Sequence, residues 1–165
     1  MRVSKTVFPL IALWFSLSAK AQTVLHDDFS DGDLGKSPTW VGDLGHFVTT
    51  NGQLQLKTSG SGISYLSTQA VWADTASWSF YFALDFSPST SNLIKVYLSY
   101  DRAQLNEPGN GLYLKVGRSG NDDNLELYRQ KGSSLTKLGE GSLGSLGGTL
   151  NQAHVQVTRS RTGEV

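Results

Sequence analysis

The chain has 165 residues, 14 Lys plus Arg balanced by 14 Asp plus Glu, no cysteine and 18 glycines. That length accommodates one ordinary domain, and zero net charge excludes the basic footprint that nucleic-acid binding needs. The lack of cysteine excludes a disulfide framework, an iron–sulfur cluster, a thiolate zinc site and a cysteine nucleophile.

Residues 1–21 read as a secretory signal peptide. Arg2 and Lys5 form a positive start, residues 7–17 a short apolar run, and Ala19-Lys20-Ala21 a small-x-small cleavage site. The run is shorter than the roughly 20 residues a spanning helix requires, and no later stretch is apolar enough, so no membrane span is expected after cleavage. The mature chain is expected to begin at Gln22 and to be secreted or held at the outer cell surface. Processing removes Arg2, Lys5 and Lys20, so 14 basic residues become 11 against 14 acidic ones, a net charge of −3 over 144 residues. All 18 glycines remain, one residue in eight, against an ordinary share of about 7%. An interior glycine costs a helix roughly 0.8–1 kcal/mol, so this density favours many tight turns. The expected class is all-β, and residues 22–165 are read as one domain.

The mature chain opens on a cluster of carboxylates, Asp27, Asp28, Asp31 and Asp33, and runs into a loop over 31–45 around Trp40. After the turn pair Asn51-Gly52, residues 53–57 (QLQLK) alternate strictly and predict a strand. Trp72, beside Asp74, falls in a loop. The run 78–86 (WSFYFALDF) is apolar on both faces along most of its length and reads as a central strand. In 94–100, Ile94, Val96, Leu98 and Tyr100 alternate against Lys95, Tyr97 and Ser99. Leu112, Leu114 and Val116 then alternate against Tyr113 and Lys115, and Leu125 and Leu127 against Glu126 and Tyr128. Residues 139–148 (GEGSLGSLGG) are half glycine and read as a flexible loop or weak edge segment. Val155 and Val157 alternate against His154, Gln156 and Thr158 in a last strand. Short strands at regular spacing with one apolar face each predict an antiparallel two-sheet β-sandwich or jelly roll.

Glucanases of jelly-roll type carry Glu-x-Asp-x-x-Glu or a close relative on one strand, which sets carboxylates on one face around the scissile bond. No such string occurs here, the three histidines are scattered, and Gly-x-Ser-x-Gly and His-Glu-x-x-His are absent. Catalytic residues are therefore expected to be none. The carboxylates Asp27, Asp28, Asp31 and Asp33, and the string Asn121-Asp122-Asp123-Asn124, supply the hard oxygen ligands that suit Ca²⁺. Neither has the spacing of a known calcium loop, and Asp and Asn also serve turns without any metal. Ca²⁺ at the first cluster is the one cofactor the sequence suggests.

The alternation sets Tyr97, Tyr113 and Tyr128 on three successive strands, all pointing away from the core, with Lys95, Lys115, Glu126 and Gln130 on the same face. Sugar recognition wants aromatic surface for the ring and polar groups for the hydroxyls, so Tyr97, Tyr113, Tyr128, Lys115 and Glu126 are candidate ligand-binding residues. Trp72 is a further one. Tyrosine also favours strands, and cross-strand aromatic pairs add about 0.2–1 kcal/mol each without any ligand.

In order and spacing, Asp27-Asp28-Phe29-Ser30-Asp31-Gly32-Asp33, Pro38-Thr39-Trp40, Gly45-His46-Phe47-Val48, Asn51-Gly52-Gln53-Leu54-Gln55-Leu56, Ser64-Tyr65-Leu66-Ser67-Thr68, Val96-Tyr97-Leu98 and Glu126-Leu127-Tyr128-Arg129-Gln130 resemble the N-terminal domain of large secreted Bacteroidetes proteins, often named for a lamin-tail domain further along. The resemblance runs from about residue 24 to the last residue and implies a concanavalin A-like lectin/glucanase jelly roll. It implies further domains in the same polypeptide, including a type IX secretion sorting domain, and no defined chemistry. The chain stops at Thr162-Gly163-Glu164-Val165, just after a strand and in what looks like a hairpin turn. It is therefore expected to be a fragment that lacks at least one C-terminal strand. Three functions stay open: a non-catalytic glycan-binding or adhesive module, a structural spacer, and part of a glycan-active hydrolase or lyase.

Overall fold

A computed structural model of the chain describes residues 25–71 and 74–160. The expected signal peptide, Trp72 and the chain's last residues lie outside them. Ten strands are present: β1 (Trp40–Gly42), β2 (Phe47–Thr50), β3 (Gln53–Leu56), β4 (Leu66–Thr68), β5 (Ala76–Leu84), β6 (Ile94–Tyr100), β7 (Gly109–Val116), β8 (Leu125–Gly132), β9 (Ser134–Glu140) and β10 (Asn151–Arg159). A 3-10 turn at Leu44–His46 separates β1 from β2. All pairings are antiparallel, so the all-β class and its hairpin logic hold.

The strands are divided differently from the expected two sheets. Among the described residues, β1 pairs with β4, β2 with β3, β5 with β10, and β6–β7–β8–β9 form a four-stranded meander. The N-terminal strands are only three or four residues long, too short to extend into the longer strands' ladders. The β2–β3 hairpin closes on Asn51-Gly52, whose φ angles of 53° and 69° are the doubly positive pair that a tight two-residue turn requires.

The core lies between the meander and the β5–β10 ribbon. From β5 and β10 come Phe82, Leu84 and Val155, flanked by Trp78, Phe80, Ala153 and Val157. From the meander come Leu98, Leu114 and Val116, flanked by Ile94, Leu112, Leu125 and Leu127. Register reinforces the packing, because Val155 sits opposite Phe80 and Val157 opposite Trp78. Burying one such side chain stabilises by about 1.5–3 kcal/mol, so these residues set the fold.

Three sequence expectations are corrected by this arrangement. The 78–86 run is not apolar on both sides of a central strand: its outward residues include Ser79, Tyr81 and Ala83, and Tyr81 is 44% exposed. Its hydroxyl donates to Gln152 Oε1 at 2.8 Å, and its ring lies 4.9 Å from His154, so the outer face is finished by polar and aromatic partners. The 31–45 stretch is not wholly loop, since β1 forms within it. The 139–148 stretch is anchored: Leu146 is buried in the core and its N–H donates to the Asp123 carbonyl at 2.9 Å. Asn151 fastens the same loop to the exit of β5, its Nδ2 donating to the carbonyls of Phe86 and Gly148.

Candidate functional site: the tyrosine–lysine face of the meander

One face of the meander belongs to the core; the other carries three rows of side chains set by register. Lys95, Lys115, Glu126 and Glu140 stand opposite one another in the first row, and Tyr97, Tyr113, Tyr128 and Lys137 in the second. Tyr100, Gly111, Gln130 and Leu135 make the third. Of the sequence candidates, Tyr97, Tyr113, Tyr128, Lys115 and Glu126 are thus brought together.

Two of the rows depend on irregularities that alternation does not reveal. Between Tyr97 and Ser99 the β6–β7 register slips by one residue. A bulge inserts an extra residue and turns the side chains beyond it, so Tyr100 joins the tyrosine face rather than the core side predicted for it. Its ring lies 4.8 Å from that of Tyr97. On β9 a second slip, between Lys137 and Gly139, puts Lys137 and Glu140 on the same face although they are three residues apart. Strand β9 is exposed throughout, with no apolar stripe to betray it. Tyr100, Leu135, Lys137 and Glu140 are therefore among the members of this face that sequence reasoning missed.

The aromatic row is packed edge-up rather than laid flat. Tyr113 and Tyr128 stack at 5.4 Å with 11° between their planes, and Tyr97 lies 5.0 Å from Tyr113. The ammonium of Lys95 sits 5.1 Å above the Tyr113 ring and that of Lys115 5.4 Å above the Tyr128 ring, within the range of cation–π attraction. Tyr113 is left 1% exposed. It therefore works as a pillar between its neighbours, while Tyr97, Tyr100 and Tyr128 are half-buried and keep surface for contact. Burial, followed by the neighbouring Tyr97, Tyr128 and Glu126, pushes the Tyr113 phenol up to about 12. Burial also raises Tyr97 and Tyr100 above the ordinary phenol range.

Polar groups fill the ends of the row. The Tyr97 hydroxyl donates to Gln130 Oε1 at 3.2 Å, and Gln130 Nε2 donates to the Tyr100 hydroxyl at 3.1 Å and the Gly132 carbonyl at 3.0 Å. The Tyr100 hydroxyl donates in turn to the Glu107 carbonyl.

At the other end Glu126, only 4% exposed, is held between Lys115 at 3.0 Å and Lys137 at 3.6 Å. Lys137 also reaches Glu140 at 2.9 Å, as does Arg118 at 3.4 Å. The Lys137 hydrogen bond, and then that from Asn124, holds the Glu140 carboxyl below the usual range.

A depression of about 220 Å³ opens on this face, lined by Thr90, Leu93, Lys95, Lys115, Tyr113, Tyr128 and Leu135. A broader one of about 690 Å³ lies around the sheet's end, where Tyr100, Asp101, Asn110, Gly111, Gln130 and Lys131 are among its walls.

The aspartates of the first cluster are turned to their own backbone. Asp27 Oδ1 accepts from the Phe29 N–H and Oδ2 from Trp40 Nε1 at 2.7 Å. Asp28 accepts from the N–H and hydroxyl of Ser30, Asp31 from the N–H of Asp33, and Asp33 from the N–H of Gly35. These are successive Asx turns. Among the described residues, no group of three or more His, Asp or Glu side chains is arranged to hold a metal ion. In the second string, Asp123 is fully buried and its Oδ1 accepts from the Arg118 N–H at 2.6 Å, closing the β7–β8 connection. No helix among the described residues is long and apolar enough to cross a membrane.

Comparison of the chain with family models, with curated proteins and with solved structures returned no match. The fold supports a multi-sheet β-sandwich, and the chemistry of the site rests on the geometry above.

Proposed function

We propose that the chain is a non-catalytic, secreted or cell-surface module of concanavalin A-like jelly-roll type that binds carbohydrate on the tyrosine–lysine face of its meander. The observation that carries this reading is the gathering of four tyrosines and their polar partners on one sheet face, beside a depression on the side away from the core. Half-buried aromatic rings offer apolar surface to the C–H face of a sugar, and the lysines that line the depression offer hydrogen bonds to its hydroxyls. Ligand sites combine these ingredients: apolar and aromatic lining with a few placed polar groups.

The state of the carboxylates favours binding over hydrolysis. A glycosidase needs one carboxylic acid with its pKa raised toward neutrality, whereas Glu140 is pulled the other way by Lys137 and Asn124.

The test is a glycan array probed with the parent chain and with Tyr97→Ala and Tyr128→Ala. Tyr113 is left intact because it supports its neighbours. The expected result is a defined set of bound glycans and at least a tenfold loss with Tyr128→Ala. Binding that survives both substitutions removes the site from this face. No glycan bound at all favours the spacer reading, whose own support is that the rings already pack on one another and under Lys95 and Lys115. Release of reducing sugar from a bound polysaccharide would overturn the non-catalytic reading.

A further inference from the structure

Lys95 differs from every other ion on the tyrosine face. Lys115 and Lys137 lie on Glu126, and Lys137 and Arg118 on Glu140. Lys95 has no carboxylate within ion-pair distance among the described residues, and its cross-strand partner in the ladder is Lys115. Like charges directly opposite on neighbouring strands destabilise a sheet. Here the second ammonium is already committed to Glu126, while the first rests only on the Tyr113 ring. Burial and then the Lys115 charge hold the Lys95 amine below the usual lysine range, as expected for an ammonium short of an anion.

Both lysines line the 220 Å³ depression, together with Tyr113, Tyr128 and Leu135. A small pocket with two lysines, two tyrosine rings and two leucine edges fits a single charged substituent with part of its sugar ring. It does not fit a long neutral chain.

We propose that this depression receives the anionic substituent of an acidic polysaccharide, a uronate carboxylate or a sulfate ester, between the ammoniums of Lys95 and Lys115. The inference rests on the glycan-binding reading of this face and narrows it to a ligand class. An anion there compensates the Lys95–Lys115 repulsion and gains charge-assisted hydrogen bonds, which are roughly twice as strong as neutral ones. The apolar ring face lies against Tyr128 and Leu135. Neutral glycans have nothing to offer the two ammoniums and leave the repulsion in place.

The experiment is isothermal titration calorimetry on the parent chain with three hexasaccharide-sized probes: a neutral β-glucan, an oligouronate and a sulfated oligogalactan. Each is measured at about 50 mM and 500 mM salt. The expected result is binding of at least one acidic probe at least tenfold tighter than the neutral one, weakened at high salt because exposed charge interactions are screened. Whether the uronate or the sulfate probe binds identifies the source of the anion. Lys95→Gln is expected to remove at least tenfold of the affinity and Lys95→Arg to restore most of it, with unchanged melting temperature showing that the fold is intact. Lys115→Met, which loosens Glu126 as well, serves as the second variant. Equal affinity for neutral and acidic probes overturns this inference and leaves the glycan-binding face standing. So does acidic-probe binding indifferent to Lys95→Gln. Absence of binding to all three overturns both.

Discussion

Replacing Tyr113 by alanine is the most direct probe of the tyrosine face, because it separates a packed structural row from a loose surface decoration. The side chain is 1% exposed and touches Tyr97, Tyr128 and the Lys95 ammonium. A buried aromatic side chain removes about 150–250 Å² from water. Taking the lower figure at about 25 cal/mol per Å² gives roughly 4 kcal/mol, of which alanine keeps a small part. Two ring–ring contacts add about 0.5 kcal/mol each. Regaining hydration of the phenol offsets about 1 kcal/mol, and because the face opens to solvent its neighbours can close part of the gap. The expected loss is about 3 kcal/mol, a large fraction of an ordinary domain's 5–15 kcal/mol. Urea denaturation followed by far-ultraviolet circular dichroism reads it as a lower midpoint with an unchanged slope. A double-mutant cycle with Tyr128→Ala is expected to give a coupling of about 1 kcal/mol, reflecting the stacked pair. A loss below about 1 kcal/mol for Tyr113→Ala would refute the argument that this ring is the pillar of the face.

The raised Tyr113 phenol also makes stability fall in alkali. The folded chain holds this proton up to about pH 12, while the unfolded chain releases it near pH 10, so the contribution is complete below about pH 10 and lost as pH rises toward 12. The whole separation corresponds to roughly 3 kcal/mol, and solvent screening of the phenolic end reduces the expected effect to about 1–2 kcal/mol. Tyr113→Phe should flatten that part of the stability–pH curve, and an unchanged slope would contradict the assignment. Gly111→Ala is expected to cost about 2–3 kcal/mol, because the new methyl would overlap the Ser99 carbonyl and press on the Tyr100 ring at the β6 bulge. Thermal melts check it, and a neutral result would mean the bulge yields easily. Asp27→Ala removes the acceptor of the Trp40 indole N–H and of the Phe29 N–H. A loss of about 1.5–3 kcal/mol is expected, read by calorimetry as a lower melting temperature.

The strands that bury one face were legible because burial imposes a period of two. β3, β6, β7, β8 and β10 each overlap an alternating segment of the sequence. Strand β9 was not, since Ser134, Thr136, Lys137 and Glu140 carry the polarity of a loop and its leucines, Leu135 and Leu138, are exposed. The same distinction runs through the site. Tyr97, Tyr113 and Tyr128 share a face by simple alternation from strand to strand. Tyr100 reaches that face only because the ladder slips at Leu98, and nothing in Tyr97-Leu98-Ser99 marks the slip, as a glycine or proline would.

Composition and local pattern by themselves determined the all-β class, the Asn51-Gly52 turn, the core side of most of β7 and β8 and the tyrosine row. These are products of short-range rules: glycine frees φ, and alternate residues face opposite ways. Tertiary structure alone decided that β5 pairs with β10, and that Tyr113 is a pillar beneath Lys95 instead of an open platform. It also decided that Leu146 plugs the core from a glycine-rich loop, and that Lys95 faces Lys115 while every other ion on that face has a partner. Those facts depend on which residues, distant along the chain, fall opposite one another across a ladder or a core. Register and bulges set that, and a local period does not carry it.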